Sequence, residues 1–373
     1  MPPIATLSQP VLEKARTALQ HNMASILMDR AAKQVASLQH QLASLVASNS
    51  FVQQLVKLSA ITDIYNNNHL QELALAVIPF DLIDSQVESH WKTQEASTDT
   101  NTHYSKDDLF VKYLLKWFKN SFFTWTNKLP CPSCHNSDQS QIALVGHAQP
   151  TAVEKSDGDA GSVEIYRCAK CRHQYRFPRY NSPAKLLETR QGRCGEWANC
   201  FYLILHSLGM VDVRYVWNLE DHVWTEYYST NFQKWIHLDS CEEAYDQPLI
   251  YCNNWGKKMS YVVAIGPLGM RDVSKRYIDM STSKDKQLPR TKVSEKNLFK
   301  VLQFLDLRKK ISYMRNTGDD LKIYQMFVRD IQEMKWLQNH DGVDSLVGDM
   351  GEKGRISGSK DWKAQRGENG GKK

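Results

Sequence analysis

Cys131-Pro132-Ser133-Cys134 and Cys168-Ala169-Lys170-Cys171 constrain the fold of this chain more than any other feature. Each Cys-x-x-Cys spacing wraps a knuckle that aims two thiolates at one ion, and two knuckles complete a tetrahedral site. The 33 residues from 135 to 167 can form a small antiparallel sheet between them. Ile142–Val145 and Val163–Arg167 read as strands with Ser156–Gly161 as the turn, and Gln174–Phe177 reads as a further strand. Four thiolates leave no open position for water, so the expected site is structural, with zinc the usual occupant. His135 and His173 stand beside the cysteines, but the thiolate set is already complete. Eight cysteines in 373 residues, four of them in such pairs, point to metal ligation in a reducing compartment rather than to a disulfide scaffold. The cytosol, with or without the nucleus, is the expected location.

The rest of the chain is ordinary in composition, 42% hydrophobic and 24% charged, so a packed core is expected. Its net charge of +6 lies largely in the C-terminal third, and no Lys/Arg block is dense enough to imply nucleic acid. No run of 18 apolar residues occurs, so no membrane span is expected. Met1-Pro2-Pro3-Ile4 puts no basic stretch ahead of an apolar core, so no secretory signal is expected. Ten Trp residues are many for this length, and exposed Trp faces can bind sugar rings.

Apolar residues recur at helical steps over 10–48, from Leu12 to Leu45, and predict one long amphipathic helix or two, able to pack on the core or dock into a partner's groove. Further helices are expected over 51–65, 70–78 and 107–125, with 91–104 a loop. Strands are expected over 211–219, 222–228, 234–238 and 261–265, helices again over 291–340, and a disordered tail from Asp341 onward.

Gly192-Arg193-Cys194-Gly195-Glu196-Trp197 leads into the apolar helical run Trp197–Leu208, which places Cys194 at a helix start. Free N–H groups and the helix dipole lower a thiol pKa there, so Cys194 is the candidate nucleophile. The flanking glycines leave room for a substrate at the thiol. His222 opens the strand His222–Glu226, and Asp239 ends the strand Lys234–Asp239. Adjacent antiparallel strands would bring the imidazole to the carboxylate, giving a nucleophile, a base and an orienting acid. Strand alternation puts Trp224 on the face of His222, and Trp235 and His237 on the face of Asp239. His237 is a rival base, more at home as a structural histidine. Cys200, Cys241 and Cys252 read as inert.

Gln191–Asn199, Asp221–Glu226, Trp235–Glu242 and Trp255–Tyr261 together resemble the cytosolic peptide:N-glycanases, over roughly residues 70–340. The resemblance is to the short fungal form, and the two cysteine pairs stand where that family has its zinc site. It implies an α+β fold with a transglutaminase-like, papain-type core, a central antiparallel sheet, a small four-cysteine zinc subdomain and flanking helices. The division would be an N-terminal helical arm (1–65), the helical part of the core (66–128), the zinc subdomain (129–180), the catalytic core (181–290), C-terminal helices (291–340) and the tail (341–373). It implies removal of N-glycans from misfolded glycoproteins exported from the endoplasmic reticulum, with Cys194, His222 and Asp239 as the triad. Trp224, Trp235 and Glu242 would line the site for the chitobiose core. The Cys194 N–H and an upstream indole such as Trp125 are candidates to hold the oxyanion. The N-terminal helix would contact a ubiquitin receptor linked to the proteasome. The alternatives are a transglutaminase or cysteine protease on the same fold, or a catalytically silent glycoprotein-binding scaffold.

Overall fold

A computed structural model describes residues 9–96, 103–209, 212–279, 287–339, 354–366, 368 and 370. The long amphipathic stretch is one helix, α1 (Gln9–Ser48), which buries Ala24, Ala31, Leu38 and Leu42 against the C-terminal helices. Four helices follow: α2 (Ser50–Ser59), α3 (Asn68–Leu75), α4 (Phe80–Glu95) and α5 (Lys106–Trp117). Side chains fix their starts. Asn49 accepts the N–H of Val52 ahead of α2, and Ser105 with Asp108 forms a capping box ahead of α5. Two expectations shift here. Trp91–Glu95, read as loop, completes α4. The aromatic run over 107–125 leaves the α-helix at Phe118–Phe122, a π-helical turn, and ends as strand β1 (Thr124–Trp125). Phe118 and Phe123 stack at 5.3 Å and both meet Trp197, so the turn widens to seat three aromatic rings together.

The cysteine pairs bracket a three-stranded antiparallel sheet, β2 (Ile142–Ala148), β3 (Ala160–Cys168) and β4 (Gln174–Tyr180). The first half of the expected turn at 156–161 belongs to helix α6 (Ala152–Gly158), started by a capping box between Thr151 and Glu154, and its last two residues begin β3. Then come α7 (Pro183–Thr189), β5 (Gln191–Gly192) and α8 (Cys194–Ser207). β5 pairs in parallel with β1, which ties the aromatic helix to the residues just before Cys194.

The central sheet contains β6 (Val213–Asn218), β7 (His222–Ser229), β8 (Lys234–Asp239), β9 (Ala244–Tyr245), β10 (Val262–Gly266) and β11 (Gly269–Asp272). Its order is β11-β10-β6-β7-β8-β9, every neighbouring pair antiparallel. Alternation sorts its residues. Val213, Tyr215, Tyr227, Ile236 and Leu238 pack on α8, whereas Val216, Trp224, Val262 and Ala264 pack under Tyr251, Trp255 and Tyr277. α8 is covered on all sides, which explains why Phe201–Leu205 are buried without a break.

α9 (Ser274–Tyr277), α10 (Glu295–Thr317) and α11 (Asp320–Asn339) close the fold. α11 is pinned through Glu333, whose carboxylate accepts from Arg214 and Arg276 at 2.9 Å, while Arg276 also bonds Glu226 at 2.9 Å. Burial would raise the Glu333 carboxyl, but Arg214, Arg276 and Arg271 hold it well below the usual carboxylate range. Removing one member of such a network strands buried charge. Glu333→Ala should therefore lower the unfolding free energy by about 3–5 kcal/mol, read by urea denaturation. Because the folded value is depressed, this contribution is full above the ordinary Glu pKa of about 4.3 and is lost as the pH falls below it.

The tail expected to be disordered holds a short helix, α12 (Lys360–Gln365), and buried Arg355, Ser357 and Glu368. Its order comes from ionic and cation–π contacts with the core rather than from apolar burial. Residues 340–353 lie outside the described part. No helix among the described residues is long and apolar enough to cross a membrane.

Candidate active site

Cys194 is the first residue of α8. Gly192 before it has no room for a side chain, since a Cβ there would meet the Glu196 Cβ at 2.5 Å. Gly195 after it faces open space, as the need for access to the thiol requires. Glu196 accepts the Arg193 N–H at 3.0 Å and receives Arg179 through two bonds of 2.6 Å. Arg193 in turn bonds Glu164 of β3 at 2.8 and 2.7 Å, and Arg179 reaches the same carboxylate at 3.1 Å. The sheet between the cysteine pairs is thus clamped directly onto the start of α8. Burial acts against the Glu164 charge, but hydrogen bonds from Arg193 keep its pKa below the ordinary value.

His222 opens β7 and is buried. Its Nε2 lies 2.8 Å from Asp239 Oδ2. The β7–β8 register pairs Thr225 with Leu238, which sets Asp239 level with Trp224 and one diagonal step from His222. Asp239 is fixed twice more, accepting the Cys241 N–H at 2.9 Å and the Tyr251 hydroxyl at 2.9 Å. The His222 Nδ1 is buried and has no hydrogen-bond partner among the described residues. The His222 residue lines the same cleft of about 250 Å³ as Cys194 and Gly195. An imidazole oriented by a carboxylate on one nitrogen, with the other nitrogen unengaged and a thiol lining the same cleft, can accept and return a proton.

The electrostatics correct one expectation. The helix start was expected to lower the Cys194 pKa, but burial raises it, with Arg355 pulling the other way. Burial also holds the His222 pKa well below its ordinary value, reinforced by Arg355 and Lys257. In this closed arrangement thiol and imidazole are both neutral.

The sequence-predicted aromatics separate. Trp224 is 1% exposed, sandwiched by Tyr251 at 4.4 Å and Tyr277 at 4.7 Å, and so has no free face for a sugar. Trp235 shares the face of Asp239 but sits at the far end of β8, under the Arg214 guanidinium at 3.6 Å. It lines a different cleft, with Arg276 and Trp336. The Trp125 indole N–H donates to Asn127 Oδ1 at 2.9 Å and is not free for an oxyanion. Glu242 is buried within three residues of Asp239, where its carboxylate accepts the N–H groups of Ile356 and Ser357. His237 is no rival base. Its Nε2 meets the Tyr251 hydroxyl at 2.7 Å, its Nδ1 accepts the Gln247 N–H, and burial lowers its pKa to about 3. Cys200, Cys241 and Cys252 are buried.

Sequence reasoning missed Tyr251 and Trp255, which meet the His222 ring at 5.1 and 5.0 Å, and also Arg355. Tyr251 carries no local signal, because its role depends on which chain segment covers the sheet.

The four pair cysteines form one cluster, their sulfurs all within 4.8 Å. Cys131 and Cys171 stand 3.5 Å apart, and Cys134 and Cys168 3.7 Å apart. With metal–sulfur bonds near 2.3 Å, tetrahedral sulfurs lie about 3.8 Å apart, so the cluster is compatible with one structural metal ion. His135 and His173 are not part of it.

Comparison with known proteins places the chain in a family. Residues 148–240 match the model of the transglutaminase-like superfamily, and residues 218–326 that of the Rad4 transglutaminase-like domain. The chain is 42% identical over 334 residues to the Saccharomyces cerevisiae peptide-N(4)-(N-acetyl-beta-glucosaminyl)asparagine amidase, covering 88% of each protein. The chain belongs to this amidase family. The Candida glabrata amidase is 41% identical over 87% of this chain and 89% of its own. The mouse amidase is 38% identical over 82% of this chain but only 44% of its own length. Among solved structures, Rad4–Rad23 crosslinked to undamaged DNA aligns at a TM-score of 0.42 and 14% identity, covering 82% of this chain and 60% of that one. The α+β transglutaminase-like fold with a cysteine cluster, read from the sequence, is thus the amidase fold seen here.

Proposed function

We propose that the chain hydrolyses the amide bond joining N-acetylglucosamine to asparagine in N-glycoproteins, with Cys194, His222 and Asp239 as its triad. The observation that carries this is the His222–Asp239 bond of 2.8 Å, with Nδ1 left unengaged and His222 lining one cleft with Cys194, in a chain 42% identical to a named amidase. His222 Nδ1 takes the Cys194 proton as the thiolate attacks the side-chain carbonyl carbon. The C–N bond breaks when His222 protonates the departing glycosylamine nitrogen, leaving a thioester on Cys194. Water, deprotonated by His222, cleaves that thioester and releases aspartate. The glycosylamine decays in solution to free sugar and ammonia. The Cys194 N–H, at the first position of α8, is aimed as a helix-start donor for the oxyanion.

Glu242 is the acidic group placed to receive hydroxyl or amide protons of the chitobiose core. The ion held by Cys131, Cys134, Cys168 and Cys171 is zinc, in a closed structural role that steadies Glu164 and hence the start of α8. The substrates are misfolded glycoproteins in the cytosol, whose unfolded chain can bring an asparagine to a thiol set within a cleft of about 250 Å³. The partner is a ubiquitin receptor, met by α1, where Leu19 (60%) and Ile26 (51%) are exposed.

A denatured glycoprotein or glycopeptide should lose its glycan and gain Asp at the linkage site, with no incorporation of an added primary amine. Amine incorporation without hydrolysis would instead assign transglutaminase chemistry. Tyr251 positions Asp239, so Tyr251→Phe should lower kcat by about 10–100-fold, as loss of a charge-assisted bond of about 1.5–3 kcal/mol implies. Steady-state kinetics with a glycopeptide check this.

A further inference from the structure

The C-terminal segment lies across the catalytic cleft. Its backbone N–H groups at Ile356 and Ser357 donate to the two Glu242 oxygens at 2.6 and 3.0 Å, consuming the carboxylate available for a ligand. Arg355 is fully buried among indole rings, 5.0 Å from Trp125, 4.7 Å from Trp255 and 4.5 Å from Trp362. Glu368 ties the segment down, accepting from Arg355 and from Lys257 of the core at 2.7 Å each. Arg366 bonds both the carboxylate and the backbone carbonyl of Asp221, the residue before His222. Trp362 and Arg366 line the cleft that holds Cys194 and His222.

The segment lacks the features of a permanent part of the core. α12 buries none of its residues, and Ile356 is 63% exposed. A six-residue helix has little stability of its own. What holds the segment is polar and cation–π, the kind of contact a polar ligand can exchange for its own. Two consecutive amide N–H groups on Glu242 present the donors that an acetamido sugar also carries.

We propose that residues 354–366, together with Glu368, form a reversible strap, an intramolecular ligand that occupies the glycan end of the Cys194 cleft and keeps the enzyme closed until substrate displaces it. The identity of the displacing ligand rests on the amidase reading; the strap itself does not. The neutral thiol and imidazole of the closed arrangement agree with it. Displacement takes Arg355 and Arg366 away from His222, although it also removes the Arg355 charge that favours the thiolate.

The test uses the full chain carrying Trp362→Ala and Arg366→Ala together, and separately Glu368→Lys, which sets a like charge against Lys257 and Arg355. Alkylation of Cys194 by iodoacetamide, followed by peptide mass mapping, should be about tenfold faster or more in both variants. A synthetic peptide of residues 354–370 added in excess should slow it again. KM for a glycopeptide should fall while kcat is kept. Wild-type alkylation rates in variants that retain the native melting temperature would overturn the strap. So would a raised KM at unchanged alkylation, which would make Trp362 and Arg366 sugar-holding residues. Accelerated alkylation in a protein that deglycosylates nothing would leave the strap standing and remove the amidase reading instead.

Discussion

Cys194→Ala should abolish deglycosylation of a denatured glycoprotein, a loss on the order of 10⁴-fold or more in kcat, with the melting temperature almost unchanged. The size follows from thiol and imidazole acting as one unit, in which removing the nucleophile forfeits nearly all of their joint contribution. The stability is kept because only one sulfur atom leaves a half-buried site. Cys194→Ser should be almost as inactive, since the poorly acidic hydroxyl replaces a thiol that His222 can deprotonate. His222→Ala should match Cys194→Ala within a small factor, and the double variant should be no worse than either single one. A folded Cys194→Ala protein with near-native activity would place the chemistry elsewhere.

Loss of the metal should have the second large effect. Cys168→Ser, or prolonged chelation, would remove the ion that ties the Cys131–Cys134 knuckle to the end of β3 and the turn before β4. Structural metals of this type contribute on the order of 10 kcal/mol to the units they close. The three-stranded sheet should open, and Glu164 should release Arg193 and Arg179. Activity should then collapse although no ligand touches the cleft. The check is circular dichroism and glycopeptide turnover before and after chelation, with zinc added back to restore both. Full activity and an unchanged melting temperature in metal-free protein would show that the four thiols need no ion.

Much of this site was legible in the sequence because the decisive signals are local. Cys-x-x-Cys spacing brings sulfurs together whatever the rest of the chain does. Strand alternation groups Trp224 with His222, and Trp235 and His237 with Asp239, so an antiparallel pairing of the two strands is all that the catalytic pair still needs, and a glycine-flanked cysteine before an apolar helix marks a thiol at a helix start. What failed depended on distant partners. Alternation put Trp224 and Trp235 on the catalytic face but could not say that Tyr251 and Tyr277 cover the first, or that the second lies at the far end of its strand. The dipole at Cys194 is local, whereas the burial that outweighs it comes from the whole fold. The tail has the composition of a disordered segment, and its order depends on indoles at 125 and 255, about a hundred residues or more earlier. The capping box at Thr151 and Glu154 was there to be read and would have replaced a turn by α6.

The central claim is that the linkage amide is cleaved through Cys194. Deglycosylation of a glycopeptide in ¹⁸O-labelled water tests it most directly, by the mass of the product peptide. The account predicts aspartate at the linkage site carrying one ¹⁸O atom in its side-chain carboxyl, formed by wild type and absent with Cys194→Ala. A product retaining asparagine, bare or still bearing one N-acetylglucosamine, would contradict it, because the bond broken would then lie within the sugar or at its anomeric carbon and no thioester could have formed.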